Sequence, residues 1–257
     1  MKKTVVDLNC DMGESFGRYK LGLDEDVIKL ISSANVGCGF HGNNPHVMRN
    51  TVALAKEHGV AVGAHPGLPD LLGFGRREMK VTPEEVKDYF VYQVGALKAF
   101  VEIAGMKLQH VKMHGALDTM ARADEELTRA MCEATREISS DLVWLAHSGS
   151  RGVEIAGNMG LKVIQEVYAD RAYNADKSLV SRTLPGAVLK NPQQVGARIK
   201  QLIELGAITT IDGKTLELEF DSICVHGDTP GALEMIRTIR GTLADHGVAI
   251  KPMVELI

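Results

Sequence analysis

The sequence predicts a parallel α/β protein in one domain, closed into an irregular (β/α) barrel of about seven strands, and three observations carry that expectation. Short apolar runs alternate with amphipathic stretches along the 257 residues, with no linker-like or low-complexity segment between them. Polar side chains follow the carboxyl end of nearly every run: Asp11, His41, His65, His114, Glu166 and His226. An open doubly wound sheet would spread these residues along a line, whereas a closed ring brings them to one mouth, so only the ring gives a reason for all of them.

Composition narrows the function classes. The net charge of −4 contains no basic block and aromatics make up only 5%, which argues against nucleic acid or an anionic membrane surface as a partner. The longest apolar runs are far short of a membrane span. Asp7, Asn9 and Asp11 interrupt the first of them before it resembles a signal peptide, so a cytoplasmic location is expected. Cys10, Cys38, Cys132 and Cys224 form no Cys-x-x-Cys pair, which points away from a zinc knuckle or a disulfide framework.

The first strand covers Thr4 to Asn9, with Asp11, Gly13 and Glu14 behind it. Strand side chains alternate, so Asp7, Asn9 and, if the strand persists, Asp11 share a face, and something polar must meet them in a packed interior. A helix follows from Asp24 to Ser33, then a short strand from Ala34 to His41 whose glycines allow close approach. Asn44, Pro45 and Gly59 bracket the next helix as N-cap, first residue and C-cap, with His46 and His58 facing solvent. Val60 to Arg77 begins as a buried strand, delivers His65, and continues into a long Gly/Pro-rich loop holding Asp70 and Arg76.

Thr82-Pro83-Glu84-Glu85 is a capping box opening a long helix with Val86, Phe90, Val94, Leu97 and Val101 as its inner stripe. The strand His110–Met113 presents His114; Lys112 shares the face of His114 and, if buried, needs a carboxylate or a substrate anion. His110 lies deeper on that face and is read as structural. An amphipathic helix from Ala123 to Ser139, a strand Leu142–Ala146 ending at His147, and a helix from Val153 to Met159 come next. The strand Lys162–Val167 carries Glu166 and is followed by Asp170 and Arg171. Asn191-Pro192 starts a helix running to Gly206, and Asp212-Gly213 is the type I′ turn pair of a hairpin inserted near residues 208–220. Gly213-Lys214-Thr215 is not a phosphate-binding loop, because Ile208 stands where that motif needs glycine and a strand follows instead of a helix. The strand Ser222–Val225 ends in His226-Gly227-Asp228, and Thr229-Pro230 opens the last helix.

These residues also resemble the LamB/YcsF family. The matching motifs are Asp7-Leu8-Asn9-x-Asp11-x-Gly13-Glu14, Ser33-Ala34-Asn35, Cys38-Gly39-Phe40-His41, Gly63-Ala64-His65-Pro66, Pro69-Asp70 and Phe74-Gly75-Arg76. They continue through Tyr92-Gln93-x-Gly95-Ala96-Leu97, His110-Val111-Lys112-x-His114-Gly115, Glu166-Val167-x-Ala169-Asp170-Arg171-x-Tyr173, Ser178-Leu179-Val180 and His226-Gly227-Asp228. Met113, Asp118-Thr119 and Gly42-Asn43-Asn44 depart from the family's usual proline, Tyr-Asn and Ala-Gly-Asp, and all flank the expected mouth.

The resemblance implies a glycoside hydrolase/deacetylase-like barrel. It also implies the A subunit of an ATP-hydrolysing 5-oxoprolinase, which converts 5-oxo-L-proline to L-glutamate using ATP with Mg2+ and partner subunits B and C. On that basis Asp11, Glu14, Lys112, His114, Glu166 and His226 are the catalytic candidates. Asp7, Asn9, His41, His65, Asp70, Arg76, Asp170, Arg171 and Asp228 are the substrate-binding candidates. Lys112 and Arg171 would hold a carboxylate or phosphoryl oxygen, Asp11, Glu14 or Glu166 would be the base, and His114 or His226 would move protons to and from the ring nitrogen. Two further readings use the same residues. One is a stand-alone metal-dependent amide or lactam hydrolase, deacetylase-like, with Asp11, His41 and His65 on a divalent ion; the other is a non-catalytic ligand-binding subunit.

Overall fold

In the computed structural model, which describes residues 3–227 and 231–257, the first strand does persist: β1 spans Val5–Met12. Its residues Val6, Leu8, Cys10 and Met12 are buried in the apolar core, while Asp7, Asn9 and Asp11 alternate onto the opposite face and bond to other strands. The ring continues through β2 (Ser33–Gly37), β3 (Ala61–His65), β4 (Leu108–Val111), β5 (Val143–His147) and β6 (Lys162–Tyr168). After an antiparallel hairpin of β7 (Ala207–Thr209) and β8 (Thr215–Glu217), β9 (Ser222–His226) pairs in parallel with both β6 and β1 and closes a seven-stranded barrel. A short β10 (Ala249–Ile250) adds to the start of β1.

The connecting helices are α1 (Asp24–Val27), α2 (Pro45–His58), α3 (Pro83–Ile103), α4 (Gly115–Ala123), α5 (Glu125–Ile138), α6 (Arg151–Asn158), α7 (Pro192–Leu205) and α8 (Ala232–Asp245). Local chemistry explains their limits. Asn44 and Asn191 accept backbone N–H bonds at the starts of α2 and α7, and Gly59 and Gly206 end those helices in the left-handed conformation. The capping box at Thr82 and Glu85 is formed, and all five residues of the α3 stripe are fully buried. His46 and His58 are exposed. No helix among the described residues is long and apolar enough to cross a membrane.

Three local expectations are corrected and one helix is added. The helix expected over Asp24–Ser33 ends at Val27, continues as a single 3-10 turn, and gives way to β2 at Ser33, where the serine hydroxyl is needed inside the barrel. The strand expected to reach His41 stops at Gly37; Gly39 (φ 97°) and Asn43 (φ 79°) turn the chain, so His41 enters the site from a loop. The helix expected over Ala123–Ser139 is α5, capped by Asp124, but a further helix that was not expected, α4, precedes it and starts directly after His114. In the hairpin only Gly213 (φ 80°) is left-handed. Its N–H donates to the Thr210 carbonyl and the Thr210 N–H to the Lys214 carbonyl, a three-residue turn with a glycine bulge and not a type I′ pair.

Half of the interior is polar. At the floor, the Asp7 carboxylate accepts hydroxyl hydrogens from Ser32, Ser33 and Ser222. One layer up, Asn9 donates to Glu166 and Ser222, and Asn35 donates to Asn9 and Asp11. His110 meets the Asn35 carbonyl oxygen at 2.6 Å and is confirmed in a structural place. Its ring fits only because Gly63 lies opposite: a Cβ there would come within 2.1 Å of Nε2. The other half of the floor is apolar and stoppered by the C-terminal turn, where fully buried Met253 packs on Val143, Leu145 and Ile164 and the Val254 N–H donates to Gln109.

Two outcomes follow from this floor. Gly63→Ala must displace the His110 ring and is expected to cost about 1–3 kcal/mol or more in chemical denaturation. Burial pushes Asp7 up to about 6 in the folded protein against 3.8 for an ordinary aspartate, so the folded state holds the proton that the unfolded chain releases first. This contribution to stability is therefore full below pH 3.8 and lost as pH rises towards about 6. Asp7→Asn removes it, so unfolding titrations across that window should show the variant gaining up to about 3 kcal/mol on wild type.

Candidate active site

The carboxyl ends of the strands open into a cavity of about 780 Å³ lined by Asp11, Glu14, His65, Lys112, His114 and His226, with Tyr168 on its wall. Further out, Arg76, Arg171 and the segment 178–183 form its sides. Strand register makes this convergence. Asp11 lies beside Asn35 of β2 on one side and His226 of β9 on the other, while Gly37 pairs with His65 and His147 with Glu166.

Lys112, 3% exposed, anchors the centre. Its ammonium donates to Asp11 Oδ1 at 2.8 Å and Cys224 Sγ at 3.2 Å and pairs with Glu166 Oε1 at 3.2 Å, so three neighbours claim its three hydrogens. Burial opposes this charge, but Asp11, Cys224, Glu166 and Tyr168 together outweigh it and hold the lysine well above its usual range. The carboxylate that meets Lys112 is the protein's own. Asp11 is correspondingly held far below the usual carboxylate range, against burial, by His65 and Lys112.

The histidines have fixed tautomers. A carbonyl oxygen only accepts, so His65 carries a hydrogen on Nδ1 towards the Lys112 carbonyl (2.9 Å), and His114 carries one on Nε2 towards the Phe74 carbonyl (2.8 Å). That leaves His65 Nε2 and His114 Nδ1 facing each other at 3.0 Å, with Asp11 Oδ2 at 3.3 Å from the former. Two lone pairs cannot face one another at this distance; a proton or a cation lies between them. Burial disfavours charge on both rings, but Asp11 raises His65 above its ordinary value, while the neighbouring His41 and His65 join burial in holding His114 well below it. Asp11 thus biases a proton shared by the two rings towards His65. His41 stacks flat on His114 (3.6 Å between centroids, 2°), points Nε2 at Glu14 Oε1 at 3.1 Å, and leaves Nδ1 buried with no partner among the described residues.

Across the cavity, both carboxylate oxygens of Asp170 lie 3.0 Å from His226 Nδ1. Asp170 accepts that hydrogen, which leaves His226 Nε2 as the acceptor, 4.0 Å from Asp11 Oδ2. The fully buried Asp170 is held below the usual carboxylate range, despite desolvation, by His226.

Of the residues expected to form the site, Asp11, Glu14, His65, Arg76, Lys112, His114, Arg171 and His226 line the cavity. Asp7 and Asn9 lie beneath it, Glu166 behind Lys112, His41 behind His114, and Asp170 behind His226. Asp70 is not at the cavity: it braces its own loop through Gly73 N–H and the Arg77 side chain. Arg171 spends donors on the carbonyls of Val180 and Ala187, which fastens the segment along the cavity wall. Asp228 lies outside the described residues.

Tyr168, Cys224, Asn35 and Gln93 join the site without having been expected there. Tyr168 and Cys224 share a strand face with Glu166 and His226 by simple alternation, a signal the sequence carries. Gln93, buried on α3, clamps the Gly67 backbone through both ends of its side-chain amide, and its place on the inner stripe between Phe90 and Leu97 is the signal that could have found it.

One group of donors, Glu14, His41, His65 and His114, gathers closely enough to hold a metal ion. It shares His41 and His65 with the expected ligand set and has Glu14 and His114 in place of Asp11. The backbone carbonyls that orient His65 and His114 are the supports a metal-bound imidazole ordinarily has, so the donor set fits a divalent cation. Asp11, Cys224 and His226 form a second close group, but the Lys112 ammonium stands among them and opposes a cation.

The fold and sequence both have known counterparts. A protein of Thermococcus onnurineus, named as the A subunit of 5-oxoprolinase, is 56% identical over 252 residues, 98% of this chain and 99% of that one. A protein of Clostridium beijerinckii with the same name is 52% identical over 98% of each. Among solved structures, a lactam utilization protein from Thermus thermophilus superposes with a TM-score of 0.92 at 41% identity, covering 97% of this chain and all of that one. A putative cellobiose-phosphate cleavage protein from Enterococcus faecalis shares the fold alone, with a TM-score of 0.57 at 13% identity over 100% of this chain and 99% of that one. The profile of the LamB/YcsF family matches residues 6–257, and the chain belongs to that family.

Proposed function

We propose that this chain is the A subunit of a cytoplasmic ATP-hydrolysing 5-oxoprolinase. With partner subunits B and C, it opens 5-oxo-L-proline to L-glutamate as ATP becomes ADP and phosphate. The end-to-end relationship to proteins bearing that name carries the proposal. The cavity supports it, because hydrolysis of an unstrained lactam needs a proton acceptor for water, a proton donor for the ring nitrogen, and fixed charge to orient both.

The side chains divide this work by their protonation. Asp11 and Lys112 neutralise one another and serve as a rigid electrostatic frame. Glu166 accepts from Asn9 and faces Lys112, so the base role falls to His226, which lines the cavity, has Nε2 4.0 Å from Asp11 and has its Nδ1 hydrogen fixed by Asp170. His226 takes a proton from water as the water oxygen bonds to the ring carbonyl carbon. The carbon–nitrogen bond then breaks, and the nitrogen receives a proton from the His65–His114 pair. Hydrolysis of ATP, with Mg2+, drives the ring opening forward, and we assign that coupling to the assembled complex. Gly213-Lys214-Thr215 sits in the hairpin turn and takes no part in it.

Where a divalent cation is bound, Glu14, His41, His65 and His114 hold it, and it supplies Lewis-acid polarisation of a substrate oxygen or water. The facing nitrogens of His65 and His114 favour this second reading, because a cation resolves their juxtaposition as well as a proton does.

Reconstitution with the partner subunits tests the proposal: lactam-dependent phosphate release should require this chain. Asp11→Ala and His114→Ala should each abolish turnover while far-UV circular dichroism stays unchanged; full activity in both would remove these assignments. His226→Ala should lower kcat by about 100-fold or more, and Asp170→Asn should do the same by releasing the tautomer. Metal analysis of untagged protein, compared with His65→Ala, decides between cation and proton: stoichiometric metal lost in the variant means cation.

A further inference from the structure

Tyr168 lines the cavity although only 8% of it is exposed, and its ring is held on every side. His147 stacks on one face (5.8 Å, 27°), His226 stacks at 5.7 Å and 13°, and the Lys112 ammonium lies 5.2 Å from the ring centroid. The backbone is pinned as well, since the Tyr168 N–H donates to the Tyr173 hydroxyl at 2.8 Å. Among the described residues nothing bonds the Tyr168 hydroxyl, whereas the Tyr173 hydroxyl beside it is committed. A phenol fixed this firmly, facing a polar cavity and without a partner among those residues, is a donor waiting for a ligand oxygen.

Two of the other donors lining the cavity are engaged. Lys112 directs its hydrogens at Asp11, Cys224 and Glu166, and Arg171 bonds backbone carbonyls. Desolvation by burial pushes the Tyr168 hydroxyl well above its usual range, so it stays protonated and able to donate at neutral pH.

We propose that Tyr168 is a substrate-contacting residue whose hydroxyl donates a hydrogen bond to the ring carbonyl oxygen of the lactam and to the oxyanion that replaces it during attack. It takes the role that Lys112, locked between carboxyl groups, does not fill. His226 on the adjacent β9 then approaches the same carbonyl carbon with its water, so donor and base flank one reacting centre. This rests on the lactam-hydrolysing reading above. His147 acts as a positioning residue: its Nε2–H donates to the Lys177 carbonyl at 2.6 Å, which fixes the plane that Tyr168 leans on.

Tyr168→Phe removes the hydroxyl and keeps the stacked ring. With the partner subunits, ATP and 5-oxo-L-proline, kcat should fall on the order of 100-fold with KM little changed, because the bond strengthens as charge develops. The thermal unfolding midpoint should not move. Infrared difference spectra of 5-oxo-L-proline bound to the chain give a second readout. The ring carbonyl stretch should be lower on wild type than for the lactam in water, and should rise in Tyr168→Phe. Wild-type kcat in an active complex of the variant, or a bound stretch in wild type no lower than in water, overturns the inference and leaves the lactam reading standing. A wild-type complex that neither binds nor turns over the lactam overturns both.

Discussion

An ammonium group and a carboxylate sealed inside a ring of strands set the terms for this site. Burying either charge alone would cost several kcal/mol, and only their mutual placement makes the interior tolerable. Lys112 reaches Asp11 from β4 because the barrel is closed: Asp11 and Lys112 stand on strands separated by β2 and β3, and the contact crosses the interior. The protonation pattern at the mouth follows from this pair. Asp11 is held well below the usual carboxylate range, so its second oxygen biases a proton towards His65, while burial, helped by His65, pushes His114 and His41 towards the neutral form. Asn35 bridges the frame to the floor by donating to both Asn9 and Asp11.

Backbone groups do much of the fine adjustment. Phe74 adopts a left-handed conformation (φ 55°), which a residue with a side chain rarely does, and its carbonyl thereby accepts the His114 hydrogen. The next residue, Gly75, passes so close to His41 and His114 that a Cβ would stand 2.7 Å from the one and 2.9 Å from the other. The long loop after β3 is therefore a shaped wall against which two imidazoles are stacked. Asp70, expected at the substrate, is consumed in holding that loop's form.

The barrel was legible because alternation and placement are local signals. Asp7, Asn9 and Asp11 announce an interior face, and the caps at Asn44, Thr82 and Asn191 mark where three of the intervening helices begin. The convergence of Asp11, His65, Lys112, His114 and His226 was legible for the same reason. What the sequence hid depends on pairing across the ring. Nothing near Lys112 says that its hydrogens are taken by residues as remote as Asp11, Glu166 and Cys224. Nothing near Asp170 says that it serves His226 and not a ligand. The early end of β2 was missed because Gly39 and Asn43 outweigh apolar periodicity, and α4 was missed because it starts directly after His114 with no side-chain cap to announce it.

The stopper beneath the barrel has its own consequence. Met253 and the Gln109–Val254 bond close the amino-terminal end, so the ring is a blind well with its opening at the histidines. Substrate arriving and glutamate leaving share one doorway, and whatever companion settles over that rim governs both directions of traffic at once.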